Sequence, residues 1–233
     1  MEEYNELVEQ YELLTEEEKR ACLIYKSRLS FLINEITAVP NFLDLDADAI
    51  YHNLNNPQQF LEIYLKYKKI LEKPNNFFMK LSIMNSLKFD TIQSIIDSLK
   101  QVYVTILNIN MVTNQDIKLY RMVSTKEPNH SISKSNLVST SIDVDCVEKF
   151  MIYPYNQLYQ IDLEAGSKVL VIPYRILLDS KDNSLKITKD DFSQKEVVIF
   201  KDELILEEKS TKEYEDNLTV YKVVAKNKKI KHL

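Results

Sequence analysis

The chain has 233 residues and a hydrophobic content of 45%, which is enough to bury the core of one large domain. A formal net charge of −5 argues against a protein whose main task is to grip the nucleic-acid backbone. Glycine occurs once, at Gly166, which excludes the glycine-rich phosphate loops of Rossmann and P-loop proteins. A nucleotide substrate would therefore have to be held by other means.

Neither a metal site nor a membrane span is expected. The two cysteines, Cys22 and Cys146, and the three scattered histidines lack metal-ligand spacing, and both thiols are expected to be buried. Residues 1–10 are polar and acidic rather than signal-like, and no apolar run reaches the length of a membrane span. We expect a soluble protein, either cytoplasmic or a secreted or delivered effector whose leader has been removed.

The first half of the chain has the spacing of amphipathic helices. An apolar stripe over residues 4–14 predicts the first helix. Thr15 and Glu18 form a capping box for a second helix, whose apolar face continues to Ile36 and ends at Pro40.

Two further helices are predicted before residue 112. Asn56 and Pro57 begin a third helix, which Pro74 closes. Asp90 is predicted to cap a fourth helix with an apolar stripe over residues 92–99.

The second half changes to short runs rich in Val, Ile, Leu and Tyr, separated by polar segments. The predicted strands are residues 117–123, 137–141, 159–163, 168–173, 196–200, 204–207 and 218–225, with a helix at 143–151. Helices first and strands later predict an α+β protein. We expect a single domain over residues 1–233, in which a helical N-terminal layer (1–112) packs on a mostly antiparallel β-sandwich core (113–233).

Three short motifs in the second half stand in a fixed order. Arg121 lies in the first predicted strand. A Ser-Thr-Ser tripeptide, residues 139–141, ends the second strand just before a predicted helix. A Gln-Lys-Glu tripeptide, residues 194–196, leads directly into the apolar run 197–200. Each motif alone is a weak signal, because an arginine in a strand or a glutamate at a strand start is usually a solvated surface residue.

In this order, the motifs resemble the Arg–Ser–Glu class of mono-ADP-ribosyltransferases, in particular single-domain bacterial exoenzymes of the Gln-x-Glu variant. That family has an aromatic-Arg strand, then a Ser-Thr-Ser strand followed by a helix, then a motif that opens a hydrophobic strand. Tyr120-Arg121, residues 137–141 and Gln194-x-Glu196 match these elements. Residues 166–172 resemble the family's G-x-K-x-x-x-I strand, so the resemblance covers about residues 116–225.

The resemblance implies the ADP-ribosyltransferase fold, with NAD⁺ as substrate and no metal. Arg121 would hold the pyrophosphate through paired, charge-assisted hydrogen bonds. Glu196 would stabilise the positive charge that develops on the ribose as the nicotinamide bond breaks. Ser139 would hydrogen-bond Glu196 and the nicotinamide end, and Gln194 is the third predicted catalytic residue.

Further residues are implied as parts of the NAD⁺ site. Tyr120 precedes the arginine, and Thr140 and Ser141 support the strand and the loop that follows it. Tyr153 and Tyr155 are predicted to stack on the nicotinamide ring; two tyrosines half-buried at a turn are an equal alternative.

The acceptor is predicted from the same resemblance. In the family, a glutamate at the position of Gln194 goes with enzymes that modify arginine. Gln194 therefore favours a protein side chain other than arginine as the acceptor. Phe192 is the predicted aromatic contact with the target. Two departures from the family pattern are Met122, where glycine is common, and a loop at residues 151–156 without arginine.

The sequence therefore predicts an NAD⁺-dependent ADP-ribosyltransferase that acts as a toxin or effector. Its predicted acceptor is a target protein, which includes a host protein, and a nucleic acid acceptor is less favoured. An NAD⁺ glycohydrolase with water as acceptor is the first alternative. The second is a catalytically degenerate binding module on the same fold, and the third is an unrelated α+β protein. Oligomeric state is left open.

Overall fold

A computed structural model describes residues 2–27, 29–71, 87–124, 135–148, 155–178, 185–189, 195–213 and 218–228. The chain divides into two compact units. The sheet unit consists of Met1–Leu13, Asn110–Pro173 and Asp190–Leu233. The helical unit consists of Leu14–Ile109 and Tyr174–Lys189. The predicted single domain over residues 1–233 stays a prediction.

The helical unit is built around one long amphipathic helix. Its elements are α2 (Glu16–Lys26), α3 (Ser30–Thr37), α4 (Ala47–His52), α5 (Pro57–Leu71), α6 (Ile92–Asn108) and a hairpin of β5 (Tyr174–Leu178) and β6 (Leu185–Lys189). Helices α2, α3 and α4 pack against α6, whose buried residues are Ile95, Ile96, Leu99, Val102, Tyr103 and Ile106. Among the described residues, no helix has the length and apolar character required to cross a bilayer.

The predicted continuous helix from Thr15 to Ile36 is wrong, because it breaks at Ser27. Ser27 has extended backbone angles (φ −72°, ψ 173°). Its hydroxyl donates to the carbonyl of Ile24 (2.5 Å) and accepts from the amide of Leu29 (3.2 Å). A serine side chain that bonds nearby backbone groups offers an alternative to the helical ladder, and here it separates α2 from α3.

The predicted cap of α6 is also wrong by one residue. Thr91, not Asp90, accepts the amide of Ser94 (3.0 Å), and the hydroxyl of Ser94 accepts the amide of Thr91 (3.0 Å). These two bonds form a reciprocal capping box. The backbone carbonyl of Asp90 accepts from Lys68 Nζ (3.1 Å). The predicted helix end at Pro74 lies outside the described residues. Helix α5 begins at Pro57 as predicted.

The sequence patterns did not predict helix α4 or the β5–β6 hairpin. The six residues of α4 are too few to show a clear period, although Asp46 caps it by accepting the amide of Ala49 (2.7 Å).

Both predicted buried thiols are confirmed, and burial raises the pKa of Cys22.

Within the described residues, the sheet unit contains α1 (Glu2–Glu12), α7 (Val144–Glu148), a short 3₁₀ turn (Lys201–Glu203) and seven strands. The strands are β1 (Ile117–Ser124), β2 (Leu137–Ser141), β3 (Tyr155–Leu163), β4 (Val169–Val171), β7 (Glu196–Phe200), β8 (Leu204–Glu213) and β9 (Thr219–Asn227). Their order is β4-β7-β2-β1-β3-β9-β8. All neighbours are antiparallel except β3 and β9, which confirms the predicted α+β class and mostly antiparallel sheet.

This sheet is narrow at its centre. Strand β2 pairs with β7 along its whole length, and β1 pairs with β3 along its whole length. Between β1 and β2, the described residues pair at one position, Tyr120 with Ser141. The set β4-β7-β2 and the set β1-β3-β9-β8 are therefore two sub-sheets of one sheet, joined at this position. The predicted sandwich is supported only roughly, by this division of the sheet.

The only glycine of the chain lies at a turn that requires it. Gly166 has φ +77°, a region that residues with a Cβ rarely adopt. Its amide donates to the carbonyl of Thr113 (2.7 Å). A Cβ at this position would meet nothing closer than the Asn227 amide nitrogen at 3.8 Å, an ordinary contact. The constraint on Gly166 is thus backbone conformation rather than space.

We therefore expect Gly166→Ala to lower the free energy of unfolding by about 1–2 kcal/mol, the cost of a left-handed alanine. Urea denaturation measures this change. Gly166→Asn is the matched control and should lose less, because asparagine tolerates this backbone region. An equal or larger loss in the asparagine variant would mean that side-chain crowding, not φ, sets the cost.

Candidate active site

The candidate site lies where β2 ends and β7 begins, at the joint between the two sub-sheets. In the β2–β7 register, Ser141 stands opposite Glu196 and Ser139 stands opposite Val198. Because side chains alternate along a strand, Ser139, Ser141 and Glu196 share one face of this pair. The hydroxyl of Ser139 donates to Glu196 Oε1 across the two strands.

Arg121 joins this pair from β1. Its Nη1 donates to the backbone carbonyl of Ser139 at 2.6 Å, and the side chain is half-buried. Ser139 is thus bonded at its carbonyl by Arg121 and at its hydroxyl by Glu196. The three residues come from three strands and from positions up to 75 residues apart (196 − 121), and the structure brings them together at one serine.

An aromatic pair that the sequence reasoning missed lies beside Arg121. Tyr159 of β3 stands directly opposite Arg121, and Tyr221 of β9 stands directly opposite Tyr159. The two tyrosine rings stack with centroids 4.8 Å apart and planes 14° apart, and both are buried. Opposed residues share a face of the sheet, so this rigid pair flanks the arginine. The pairing depends on the parallel β3–β9 contact, which no local pattern reveals.

The other residues of the two strand motifs make structural bonds. Thr140 is buried and donates to the carbonyl of Val197 (2.5 Å), which ties β2 to β7. The hydroxyl of Ser141 donates to the carbonyl of Asp143 (3.0 Å) and accepts its amide (3.1 Å), closing the turn into α7. Their predicted part in binding NAD⁺ stays a prediction.

Tyr120 and Met122 are partly buried next to this site. Both pack against the buried cluster of Val147, Leu158 and Val220. Met122 is partly buried against this cluster. The packing accounts for an apolar side chain at position 122, where glycine is common in the family that the sequence resembles. A cofactor contact of Tyr120 stays a prediction.

Four predicted site residues are not placed by the structure. Tyr153, Phe192 and Gln194 lie outside the described residues, and for Tyr155 only the backbone, at the start of β3, is described. Among the described residues, no group of three or more His, Cys, Asp or Glu side chains is arranged to hold a metal ion.

An ion pair next to Glu196 is the second feature that sequence reasoning missed. Lys195 Nζ lies 2.6 Å from Asp143 Oδ2, with the two side chains 22% and 25% exposed. Their mutual hydrogen bond lowers the pKa of Asp143 and raises the pKa of Lys195. The pair is therefore charged on both sides across the neutral range.

The shifted pKa values predict how this pair affects stability. A lowered Asp143 pKa stabilises the fold above the ordinary aspartate pKa of about 3.9, and this contribution is lost as pH falls through the lowered value. Near neutral pH, Asp143→Asn should lower the free energy of unfolding by at most about 1 kcal/mol, because the pair is partly exposed. Asparagine keeps the size and the capping ability of aspartate.

Denaturant titrations of both proteins from neutral to acidic pH measure this difference. The gap should close in acid, once Asp143 is protonated in the native protein. A gap that is independent of pH would show that the variant alters packing or capping rather than the charge interaction.

No protein-family model matches the chain, and no curated protein matches it in sequence. Several solved structures are similar to it. A C3-type ADP-ribosyltransferase from Clostridium botulinum is 11% identical, with 96% of this chain and 92% of that chain covered and a TM-score of 0.45. A C3-type protein from S. aureus, solved with NAD, is 13% identical, with 97% and 94% covered and a TM-score of 0.47. The Clostridium limosum C3 exoenzyme is 14% identical, with 96% and 91% covered and a TM-score of 0.47.

Proposed function

We propose that this chain is an NAD⁺-dependent mono-ADP-ribosyltransferase, which cleaves the bond between nicotinamide and ribose and transfers ADP-ribose to a macromolecular acceptor. The observation that supports this function best is the meeting of Arg121 and Glu196 at Ser139. A cation suited to phosphate and a carboxylate suited to a developing ribose cation are thereby fixed near one point. These are the two kinds of group that suit cleavage of NAD⁺: one matches the charge of the pyrophosphate and the other stabilises the charge that develops on the ribose.

Arg121 is assigned to the pyrophosphate of NAD⁺. The chain has one glycine and no glycine-rich loop, so backbone amides of such a loop are not available to neutralise phosphate. A guanidinium presents several N–H donors in a planar fork that matches phosphate oxygens. The bond from Arg121 to the Ser139 carbonyl sets the direction of this fork before substrate arrives.

Glu196 is assigned to the reacting ribose. Loss of nicotinamide leaves positive charge on the ribose, and a carboxylate already oriented toward it stabilises that charge without reorganising. Ser139 supplies the orientation through its hydrogen bond to Oε1. Glu196 is half-buried at the start of a strand whose remaining residues, 197–200, are fully buried, so its backbone is held firmly.

The acceptor is assigned to a protein side chain other than arginine. This choice follows from Gln194, two residues before Glu196, with Phe192 as an aromatic contact for the target. An amide at position 194 lacks the charge with which a glutamate would pair an arginine guanidinium. We further propose that the protein acts as a toxin or effector on a target protein.

Replacement of the carboxylate tests the central role. Glu196→Gln should lower kcat for nicotinamide release by at least about 100-fold, because a charge that acts in the transition state is removed. The KM for NAD⁺ should change little, since the amide keeps the size of the side chain. A nicotinamide-release assay with purified protein gives both constants.

Glu208→Gln is the control, since Glu208 is exposed on β8 and bonded to Thr211. It should behave like the unaltered chain. Near-normal turnover in Glu196→Gln would remove Glu196 from the catalytic role.

Replacement of the arginine tests substrate binding. Arg121→Lys keeps the positive charge and loses the planar fork, so we expect a fall of roughly 10- to 100-fold in kcat/KM, the worth of one hydrogen bond to a charged group. Most of the loss should appear in KM for NAD⁺. Arg20→Lys, on α2, is the matched control. An unchanged KM in Arg121→Lys would place the pyrophosphate elsewhere.

Labelled NAD⁺ incubated with a cell lysate separates transfer from hydrolysis. A labelled protein band that survives denaturation and is absent with Glu196→Gln supports transfer. Free ADP-ribose without a labelled macromolecule would favour the glycohydrolase alternative, and failure to bind NAD⁺ at millimolar concentration would favour the binding module.

A further inference from the structure

We propose that the ion pair between Lys195 and Asp143 is a clamp that positions Glu196 for the reaction, and that Lys195 acts through the conformation of its own backbone. The inference rests on the proposed function, because it concerns the rate at which Glu196 promotes cleavage of NAD⁺. Lys195 is thereby a positioning residue, not one that touches substrate.

The backbone of Lys195 has an unusual conformation. Its φ is +38°, and it is one of two residues other than glycine with positive φ among those the structure describes. A long side chain seldom adopts this region, and such conformations persist only where surrounding contacts hold them. The residue that follows is Glu196. The torsions at Lys195 therefore set the direction in which Glu196 enters β7.

Two contacts hold Lys195 against the same turn. Its Nζ forms the 2.6 Å pair with Asp143 Oδ2, and its carbonyl accepts the amide of Ile142 at 3.3 Å. One contact uses the side chain and the other uses the backbone, so the residue is held on both sides of its Cα. The side chains of this pair are 22% and 25% exposed, so salt screens the pair less than it screens fully exposed charges.

Asp143 is in turn fixed to the end of β2. Its Oδ1 accepts the amide of Asp145 (3.1 Å), and its amide and carbonyl both bond the hydroxyl of Ser141. Ser141 is the residue directly opposite Glu196 in the β2–β7 register. The clamp therefore closes a ring from Glu196 through Lys195 and Asp143 to Ser141. Ser141 lies on β2 two residues from Ser139, whose hydroxyl donates to the Glu196 carboxylate.

This arrangement predicts a particular kinetic signature. Because the charge of Lys195 is engaged with Asp143, its loss should affect the orientation of Glu196 rather than the binding of NAD⁺. We expect Lys195→Met to lower kcat for nicotinamide release by about 10-fold, with the KM for NAD⁺ within about twofold of normal. Asp143→Asn should reproduce the effect, and the double variant should be no slower than the slower single variant, since both substitutions break one interaction.

Two conservative variants separate charge from conformation. Lys195→Arg keeps the ion pair and should recover most of kcat. Lys195→Asn lacks the charge but tolerates positive φ, so its kcat should lie above that of Lys195→Met. Lys209→Met is the matched control, because it breaks an ion pair of similar length (2.8 Å, to Glu207) on exposed β8 and should leave kcat unchanged.

The experiment is a steady-state nicotinamide-release assay of the full chain and these variants, with urea denaturation to verify that each is folded. Normal kcat in Lys195→Met, beside an inactive Glu196→Gln, would overturn the clamp and leave the proposed function standing. A KM raised more than tenfold with normal kcat would also overturn it, because Lys195 would then be a ligand of NAD⁺. An unaltered chain that releases no nicotinamide would overturn both proposals.

Discussion

The bonds that meet at Ser139 hold the candidate site together. Its hydroxyl reaches Glu196 on one neighbouring strand, and its carbonyl is held by Arg121 from the other. Strands β1 and β2 pair directly at one position among the described residues, so the arginine adds a second connection between the two sub-sheets. The fold and the proposed chemistry therefore depend on the same residue, because Ser139 links Arg121 of one sub-sheet to Glu196 of the other.

The rest of the sheet unit gives this site a rigid base. Apolar residues bury the body of β2 and β7, and Thr140 adds a side-chain bond between them. Complete burial of one such aliphatic side chain is worth about 1.5–3 kcal/mol. Stabilisation of charge in a transition state requires groups that are already in place. A half-buried glutamate at the start of a buried strand meets this requirement, and the clamp from Lys195 to Asp143 extends it to the residue just before.

The two strands that carry the candidate site follow from local sequence pattern. Strands at residues 137–141 and 196–200 were predicted with the bounds that the structure has, because a polar tripeptide or a charged residue marks the end of each apolar run. The break at Ser27 was missed, because a serine hydroxyl competes with the helix only through contacts that periodicity does not record. The capping box at Thr91 was overlooked in favour of the preceding aspartate.

The contacts missed at the site are long-range. Lys195 and Asp143 are 52 residues apart in the chain, and they meet only because β2 and β7 pair in one register. The stack of Tyr159 on Tyr221 requires the parallel pairing of β3 with β9, and no turn motif in the sequence indicates that pairing. Met122 stands where glycine is common in the family that the sequence resembles. It packs against a hydrophobic cluster built by α7, β3 and β9, which are distant from it in the sequence.

The most direct test of the assigned roles is a crystal structure of Glu196→Gln soaked with NAD⁺, in which slow turnover preserves the intact dinucleotide. The assignment predicts the pyrophosphate within hydrogen-bond distance of the Arg121 guanidinium, and the nicotinamide ribose beside residues 139 and 196. A dinucleotide bound at another surface, or no binding at millimolar NAD⁺, would contradict the assignment of these residues to NAD⁺ cleavage.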